Sequence, residues 1–499
     1  MTEHTQAEHV EVAIVGAGFA GIGMALALRR AGRTSLRILE RGDAVGGTWR
    51  DNTYPGVACD VPSHLYGFAA HPNPDWSGVY ATGAEIHEYL GTIVARERLH
   101  PQLRLQCPLL HAQWCTDRWL LSTGSGPLTA DVLVLACGRL TEPSIPAIAG
   151  LETFAGPMFH SSRWDHRVPL AGRRVAVVGT GASAVQLVPE LARTAGQVTV
   201  FQRSPAWIVP REHRSYTAAE RAHFAQDVSA LARLRTQLYR AGEARFASRS
   251  GDKTAARQAR QIARDHLHGQ VSDPALRAAL TPDYEFGCKR VLLSDEFYPA
   301  LSSERVTLEP SALAAVRPDA LIAESGAQHS ADVLVLATGF AASQQPYAEL
   351  VVGEQQHSLA EAWSAGMAAF ASTAVAGFPN MFVLNGPNAS LGHNSSVLML
   401  EEQADYVLRS LARRRSIPIL RVDPAAQAEY VAEVDHAAAE TPWLTGGCRN
   451  WYVDPRSGRL TLLWPGTVDA FRRRLAAANG SEYLPTPQPI PATSAKELP

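Results

Sequence analysis

The chain has 499 residues, of which 46% are hydrophobic and 19% charged, and its formal net charge is −2 at pH 7. Because one hydrophobic core rarely extends beyond about 250–300 residues, this length predicts two or three packed domains. The balanced charge does not indicate a surface that binds nucleic acid, so we expect no nucleic-acid partner. Every apolar run is shorter than the ~20 residues that a membrane span needs, so we expect no membrane span.

The chain begins with an apolar run, residues 10–15, followed by the glycine-rich stretch GAGFAG at 16–21. An Ala/Leu-rich helix and a second strand at 35–39 follow, in the order typical of a dinucleotide-binding unit. Backbone amides at such a helix N-terminus can approach a pyrophosphate. Glu40 ends the second strand, where a carboxylate can accept hydrogen bonds from ribose hydroxyls. This unit therefore favours the adenosine part of FAD or NAD.

The same pattern recurs, with a predicted strand at 174–178, the turn GTGASA at 179–184, a helix at 186–194 and a strand at 197–201. Arg203 follows Gly179 by 24 residues, the spacing that separates Glu40 from Gly16. A guanidinium there can pair with a 2′-phosphate, and Ser204 can add a hydroxyl, so the second unit favours NADPH over NADH. A solvated arginine at a strand end is the alternative.

Two further strands, at 131–138 and 332–339, each end in a small-residue turn and are interpreted as crossings between domains. Between 211 and 285 the composition becomes rich in Ala, Arg, Gln and Leu, which predicts helices. The expected fold is α/β, with two Rossmann-like dinucleotide-binding domains and a helical insertion. We assign 1–145 and 342–499 to the FAD-binding domain, 146–211 and 286–341 to the NADPH-binding domain, and 212–285 to the insertion.

The six cysteines show no CxxC spacing and no metal-like cluster. We therefore expect no metal site, reduced thiols that act as small buried hydrophobic groups, and a cytoplasmic setting. The cysteines are Cys59, Cys107, Cys115, Cys137, Cys288 and Cys448.

Two longer motifs carry a resemblance to a known family. Residues 154–165 fit the pattern FxGxxxHxxxW(P/D), with His160 and Trp164 at its fixed positions, and residues 47–60 fit GxWxxxx(F/Y)PGxxxD. Together with the ATG at 337–339, these motifs resemble those of the class B flavoprotein monooxygenases. The tryptophan at position 164 resembles the pattern of the type I Baeyer–Villiger branch of that family. The chain departs from the pattern at Ala184, where many relatives have glycine, and in the segment 453–459.

The resemblance implies roles for individual residues. Asp60 would lie beside the flavin ring, Arg290 would be the active-site arginine, and Lys289 would help Arg203 to hold the 2′-phosphate. His160 would lie at the hinge between domains. The residues expected to bind a cofactor are Gly16, Gly18, Phe19, Ala20, Gly21, Glu40, Gly47, Thr48, Trp49, Asp60, Val61, Tyr66, Gly179, Thr180, Gly181, Ala182, Ser183, Ala184, Gln186, Arg203, Ser204, Lys289, Arg290 and Trp451.

The resemblance also implies a reaction. An FAD-containing enzyme would use NADPH and O2 to insert oxygen next to a ketone carbonyl, giving an ester or lactone through a flavin C4a-peroxide. A guanidinium stays charged at any working pH, so Arg290 could stabilise the anionic peroxide while Asp60 orients it. An ordinary structural Asp60–Arg290 ion pair is the alternative reading of these two residues.

Other functions stay open on the sequence alone. A related enzyme that oxygenates nitrogen or sulfur has similar motifs, and a flavin disulfide reductase shares the double nucleotide fold but needs paired cysteines near the flavin. A scaffold that binds nucleotide without catalysis is the fourth possibility. The sequence does not identify the substrate.

Overall fold

The computed structural model describes residues 7–485, in which two sheets each lie behind one of the glycine-rich turns. The strands are β1 (Glu8–Val15), β2 (Leu36–Leu39), β3 (Leu103–Arg104), β4 (Leu109–Cys115), β5 (Arg118–Thr123), β6 (Gly126–Leu135), β7 (Met158–His160), β8 (Arg174–Val178), β9 (Gln197–Phe201), β10 (Ile208–Val209), β11 (Leu292–Leu293), β12 (Val306–Glu309), β13 (Leu313–Val316), β14 (Leu321–Ala323), β15 (Gln328–His329), β16 (Val333–Leu336), β17 (Val351–Val352) and β18 (Met381–Val383).

The α-helices follow the same chain order. They are α1 (Phe19–Arg30), α2 (Thr48–Asp51), α3 (Gly83–Arg96), α4 (Ala182–Thr194), α5 (Ala218–Gln226), α6 (Val228–Ala244), α7 (Lys253–Gln270), α8 (Pro274–Ala279), α9 (Phe297–Leu301), α10 (Leu359–Ala362), α11 (Ser396–Arg413), α12 (Pro424–Ala438), α13 (Pro442–Thr445) and α14 (Val468–Ala476).

The first sheet has the order β17-β4-β5-β6-β1-β2-β3, and β18 also pairs with β6. Strand β1 runs parallel to β2 and β6, whereas β4, β5 and β6 form an antiparallel meander. Successive residues of β1 enter different cores, because Val12 and Ile14 pack on one face of the sheet and Ala13 and Val15 on the other. A sheet buried on both faces explains why this strand reads as a continuous apolar run.

The second sheet is entirely parallel, in the order β12-β9-β8-β16-β7. Its central strand β8 again alternates between two cores, with Val175 and Val177 on one side and Ala176 and Val178 on the other. Strand β16 lies beside β8, and β18 lies beside β6 in the first sheet, so distant segments of the chain complete both sheets. The predicted α/β fold with two Rossmann-like units is confirmed.

Residues 212–285 contain α5, α6, α7 and α8, as the composition of this stretch predicts. Side-chain oxygens cap these helices: Thr217 forms a capping box with Glu220, and Asp252 accepts from the first amides of α7. Glu243 at the end of α6 accepts hydrogen bonds from the backbone amides of Val468 and Asp469, which attaches the helical stretch to α14. Within residues 7–485, no helix combines the length and apolarity that crossing a bilayer requires.

The expectation of reduced, buried cysteines is wrong for three of the six. Cys288 and Cys448 form a disulfide with a Cα–Cα distance of 6.1 Å, and Cys115 is exposed on the surface. The two bonded cysteines are 160 residues apart in sequence, so no local spacing could indicate the pair. The expectation of a reducing compartment depends on all six cysteines being unpaired, and this disulfide removes that basis.

Candidate active site

The first glycine turn leaves no room for side chains at two of its positions. Gly16 has φ = +108°, and a Cβ there would lie 2.5 Å from the carbonyl oxygen of Ala136. A Cβ on Gly21 would lie 1.8 Å from the carbonyl oxygen of Gly16. Gly18 starts α1 without a side-chain cap, and the buried Phe19 and Ala20 form its first turn. The helix N-terminus is therefore arranged to offer backbone amides to an anion such as a pyrophosphate.

Glu40 supports this turn from behind. Its carboxylate accepts hydrogen bonds from the backbone amides of Ala17 and Gly42, at 2.9 and 2.8 Å, and from the Arg50 guanidinium at 2.7 Å. A carboxylate has further acceptor positions, so these contacts are compatible with a ribose partner. The predicted hydrogen bonds from ribose hydroxyls stay a prediction.

The segment Gly47-Thr48-Trp49 lies against the first turn. A Cβ on Gly47 would be 3.2 Å from the Cα of Gly18, so the two backbones approach closely at the start of α2. Trp49 Nε1 donates to the Tyr66 hydroxyl at 3.2 Å, and the two rings meet edge to face with centroids 5.5 Å apart. Tyr66 also contacts Phe19, and Val61 packs on the same core. Flat aromatic groups beside an open glycine turn suit a flavin and its pyrophosphate.

The second turn repeats the backbone geometry of the first. Gly179 has φ = +110°, and a Cβ there would lie 2.6 Å from the carbonyl oxygen of Ala337. Gly181 starts α4 with no other atom near its Cβ position, so the approach to the helix N-terminus is open. The Thr180 hydroxyl donates to the carbonyl of Ser204. Ala184 is fully buried in the core behind the turn, so the packing accommodates alanine at this position.

The residues predicted to select NADPH come together at the end of β9. Lys289 Nζ donates to the Ser204 hydroxyl at 2.5 Å and lies 4.7 Å from the ring centroid of Tyr284. Burial lowers the pKa of Lys289, and the like charge of Arg203 lowers it further. Two cations and a hydroxyl held close together beside a dinucleotide turn suit a phosphate group.

Asp60 and Arg290 form an ion pair. Arg290 donates to Asp60 Oδ2 from Nε at 2.9 Å and from Nη2 at 2.5 Å. The nearby Asp60 carboxylate raises the pKa of Arg290 although burial opposes this shift. The two side chains are about 27% and 30% exposed, so the guanidinium is a permanent charge with access to a ligand.

Gln186 connects the two nucleotide-binding units. Its Oε1 accepts from the Tyr54 hydroxyl at 2.9 Å, and its Nε2 donates to the carbonyl of Ala58 at 2.9 Å. Both ends of the amide therefore bind the loop that leads to Asp60. This arrangement favours a positioning role for Gln186 over the predicted cofactor contact.

His160 lies where the chain crosses between the sheets. Its Nδ1 is 2.9 Å from the Ser162 hydroxyl, and its ring packs edge to face on Phe340, next to the ATG turn. Burial lowers the pKa of His160 to about 4, so the imidazole is neutral at ordinary pH. Trp164 packs edge to face on Phe159 nearby. These contacts favour structural roles for the motif residues at the crossing.

Trp451 and its neighbour Tyr452 lie on a segment that the disulfide joins to the arginine loop. Trp451 is 37% exposed, and its ring centroid lies 4.5 Å from that of Tyr452. Tyr452 is buried; burial raises the pKa of its phenol, while the charge of nearby Arg290 opposes this shift. Cys288 precedes Arg290 by two residues, and Cys448 precedes Trp451 by three.

Sequence reasoning missed three members of this neighbourhood: the disulfide, Tyr452 and Arg139. Arg139 follows the small-residue turn after β6 and is 7% exposed. Its position directly after that turn, beside the predicted domain crossing, was the one signal that could have drawn attention to it. Tyr452 could have been found as the neighbour of Trp451.

Proteins of known sequence resemble this chain over its whole length. A Baeyer–Villiger monooxygenase of Streptomyces coelicolor is 44% identical over 99% of this chain and 97% of its own, and one of Pseudomonas aeruginosa is 38% identical over 98% and 94%. A family profile described as pyridine nucleotide-disulphide oxidoreductase matches residues 13–232.

Solved structures give the same relationship. An oxidised steroid monooxygenase bound to NADP superposes with a TM-score of 0.83 at 28% identity, covering 94% of this chain and 97% of its own. A cyclohexanone monooxygenase from Rhodococcus sp. Phi1 bound to NADP+ gives a TM-score of 0.85 at 25% identity, covering 95% and 98%. The chain belongs to the Baeyer–Villiger monooxygenase family.

Proposed function

We propose that this chain is an FAD-containing monooxygenase that uses NADPH and O2 to insert one oxygen atom next to a ketone carbonyl. The balanced reaction is ketone + NADPH + H+ + O2 giving ester or lactone + NADP+ + H2O. The observation that carries the proposal is the Asp60–Arg290 ion pair, in which a permanently charged guanidinium stays partly accessible. Full-length similarity to named Baeyer–Villiger monooxygenases supports the assignment.

The residues present fit both cofactors. For FAD, the open N-terminus of α1 would hold the pyrophosphate, Glu40 would hold the ribose, and Trp49 and Tyr66 would border the ring system. For NADPH, the N-terminus of α4 would hold the pyrophosphate. Arg203, Ser204 and Lys289 would hold the 2′-phosphate. When bound, the flavin supplies the transfer of electrons from NADPH to O2.

Arg290 would act on charge that develops on oxygen. A fixed guanidinium placed near a reacting carbonyl stabilises an oxyanion without reorganisation of solvent. Asp60 holds Nε and Nη2, which leaves Nη1 of the same guanidinium for the reacting oxygen. We assign Arg290 as the catalytic residue and Asp60 as the residue that orients it. Trp451, exposed beside Tyr452, would cover the substrate.

The substrate would be a small ketone, and the compartment would be the cytoplasm, where NADPH is supplied. Cys288 is fully buried whereas Cys448 is partly exposed, so only one sulfur of the disulfide is sheltered from soluble reductants. Fractionation of cells that make the protein would test the location.

Anaerobic reduction of the purified holoenzyme by NADPH, followed by mixing with O2 and a panel of ketones and sulfides, tests the function. We expect NADPH oxidation to yield one ester or lactone per NADPH with ketones. Products formed from the sulfides alone would assign a heteroatom oxygenase instead. Reoxidation that yields hydrogen peroxide with every substrate would argue against a monooxygenase of either kind.

A further inference from the structure

Residues 54–60, which we call the Asp60 segment, pair along one edge with the first nucleotide-binding unit. Ala58 lies opposite Thr82 in an antiparallel bridge, and the hydrogen bonds of this bridge come from the flanking residues. In such a pair the two facing residues direct their own amides and carbonyls away from each other. The amide and carbonyl of Ala58 therefore point to the other edge, where they need partners from elsewhere in the fold.

Gln186 supplies both partners. Its Nε2 donates to the carbonyl of Ala58 at 2.9 Å, and its Oε1 accepts from the amide of Ala58 at 3.4 Å. The side-chain amide thus pairs with one backbone residue as a neighbouring strand would. Its Oε1 also accepts from the Tyr54 hydroxyl at 2.9 Å, and burial raises the pKa of Tyr54 to about 12, so the phenol keeps its proton at ordinary pH. Gln186 is therefore bonded to both ends of the loop that leads to Asp60.

The helix that carries Gln186 also touches the Asp60 segment directly. A Cβ on Gly56 would lie 2.6 Å from the carbonyl oxygen of Gln186 and 3.0 Å from Cγ of Glu190. These two residues are one turn apart on α4, so the segment packs along the helix as well as being bonded to it. The N-terminus of α4 is the proposed position of the NADPH pyrophosphate. The Asp60 segment and the nucleotide would therefore contact one rigid element.

Three consecutive residues of the Asp60 segment each accept a hydrogen bond from a side chain of the part assigned to NADPH binding, residues 146–211 and 286–341. The donors are Gln186 Nε2 to the carbonyl of Ala58 at 2.9 Å, Arg211 Nη2 to the carbonyl of Cys59 at 3.2 Å and Arg290 Nε to the carboxylate of Asp60 at 2.9 Å. By sequence, however, the segment belongs to the part assigned to FAD. The position of Asp60 is thus set by contacts that cross between the two parts.

We propose that Gln186 is a positioning residue that couples the position of α4 to the geometry of the Asp60–Arg290 pair. Arg211 supports the same segment. The inference rests on the proposed function, because it assigns a residue to the control of the same ion pair. Bound nucleotide would hold α4 in place, and Gln186 would hold Ala58, two residues before Asp60. A glutamine that only satisfies a buried peptide group, which is the structural alternative, predicts no response of the segment to nucleotide.

Hydrogen–deuterium exchange of the holoenzyme, with and without saturating NADP+, tests the coupling without turnover. In wild type we expect NADP+ to slow the exchange of peptides that cover residues 54–60. Gln186→Met, which has a side chain of similar length without hydrogen bonds, should lose this protection while its affinity for NADP+ is unchanged. Gln186→Glu still accepts from Tyr54 but cannot donate to Ala58, so it should lose the protection as well. Tyr54→Phe removes one hydrogen bond and should lose part of it.

Turnover gives the second measurement. Gln186→Met should lower the share of NADPH electrons recovered in product by about tenfold or more, because a displaced catalytic group loses rate steeply, and the KM for NADPH should not change. In the Asp60→Ala background, the same substitution should not lower the residual rate further, because Gln186 acts through Asp60.

Gln427→Met is the matched control for both measurements. Gln427 is also a half-buried glutamine on a helix, and its Oε1 accepts from the backbone amide of Ala376 at 2.8 Å. That contact lies on the core of the first sheet, outside the Asp60 segment. The control should leave both the protection by NADP+ and the recovery of product at the wild-type level.

Several results would overturn the positioning role. Equal protection of residues 54–60 by NADP+ in wild type and Gln186→Met would show that Gln186 does not couple them to α4. Weaker binding of NADP+ by Gln186→Met, with normal recovery of product, would make Gln186 a cofactor contact. A further loss in the Asp60→Ala background would make it a general structural residue. If wild type forms only hydrogen peroxide with every substrate, the proposed oxygenation fails, and the exchange measurement still decides the coupling. If Gln186→Met does not fold, Gln186→Glu and Tyr54→Phe decide.

Discussion

Cys288 and Cys448 form a disulfide that joins the loop of Arg290 to the segment of Trp451. The bond closes a loop of 160 residues, and Gly446 packs against Cys288 beside it. Two parts of the proposed site that are distant in sequence are thus held together by one covalent bond. The position of the bond makes it both a stabilising element and a constraint on the substrate side.

The double variant Cys288→Ser/Cys448→Ser should lower the free energy of unfolding by up to about 5 kcal/mol, because the denatured chain is no longer cross-linked across this long loop. Thermal and urea denaturation, each with and without reductant, would measure the loss. Cys115→Ser, at an exposed free cysteine, is the control and should behave like wild type. Identical stability of the double variant and wild type under oxidising conditions would mean that the bond does not form in solution.

Arg290→Ala should retain FAD and accept electrons from NADPH, yet form ester at least about 100-fold more slowly, because the developing oxyanion loses its fixed cation. The electrons should then appear as hydrogen peroxide, measured beside NADPH consumption and product. Arg174→Ala is the control, because Arg174 forms a comparable ion pair with Asp332, at 2.6 Å, on the surface. Removing this pair should not change the yield of ester. Normal ester formation by Arg290→Ala would remove its catalytic role.

Arg203→Ala should weaken the binding of NADPH by about tenfold or more and that of NADH far less, because only NADPH carries the 2′-phosphate. Anaerobic flavin reduction, titrated with each nucleotide, would give both dissociation constants. Arg173→Ala, an exposed arginine at the opposite end of the same sheet, is the control. Equal weakening of both nucleotides would instead indicate a structural arginine.

Gly16 and Gly126 permit a comparison in which backbone strain is matched. Their φ angles are +108° and +107°, but a Cβ on Gly16 would meet the Ala136 carbonyl oxygen at 2.5 Å, whereas nothing lies within 4 Å of one on Gly126. Gly16→Ala should therefore be purified with little bound FAD, and Gly126→Ala should retain the flavin. The flavin-to-protein absorbance ratio measures both. Equal flavin content in the two variants would show that the close approach at Gly16 does not shape the site.

Much of the nucleotide-binding part was predictable from sequence, because its determinants are local. A buried parallel strand, a glycine turn and a helix are neighbours in the chain, so their apolar periodicity and glycine positions indicate them directly. In the second sheet, β8 and the following β9 have the predicted bounds for the same reason. The equal spacing of Glu40 and Arg203 from their turns likewise indicates, from the order of residues alone, which unit favours FAD and which favours NADPH.

Only the tertiary structure decided which distant residues meet. Asp60 and Arg290 are 230 residues apart, and Cys288 and Cys448 are 160 apart, so neither pair leaves a periodic trace in the sequence. The family motifs pointed to the first pair, but nothing in the spacing of the cysteines pointed to the second. The burial of Arg139, with Nε and Nη1 unpartnered among the described residues, was equally invisible, because burial and pairing are properties of packing. Local order along the chain determined the two nucleotide-binding units, and long-range packing determined the chemistry between them.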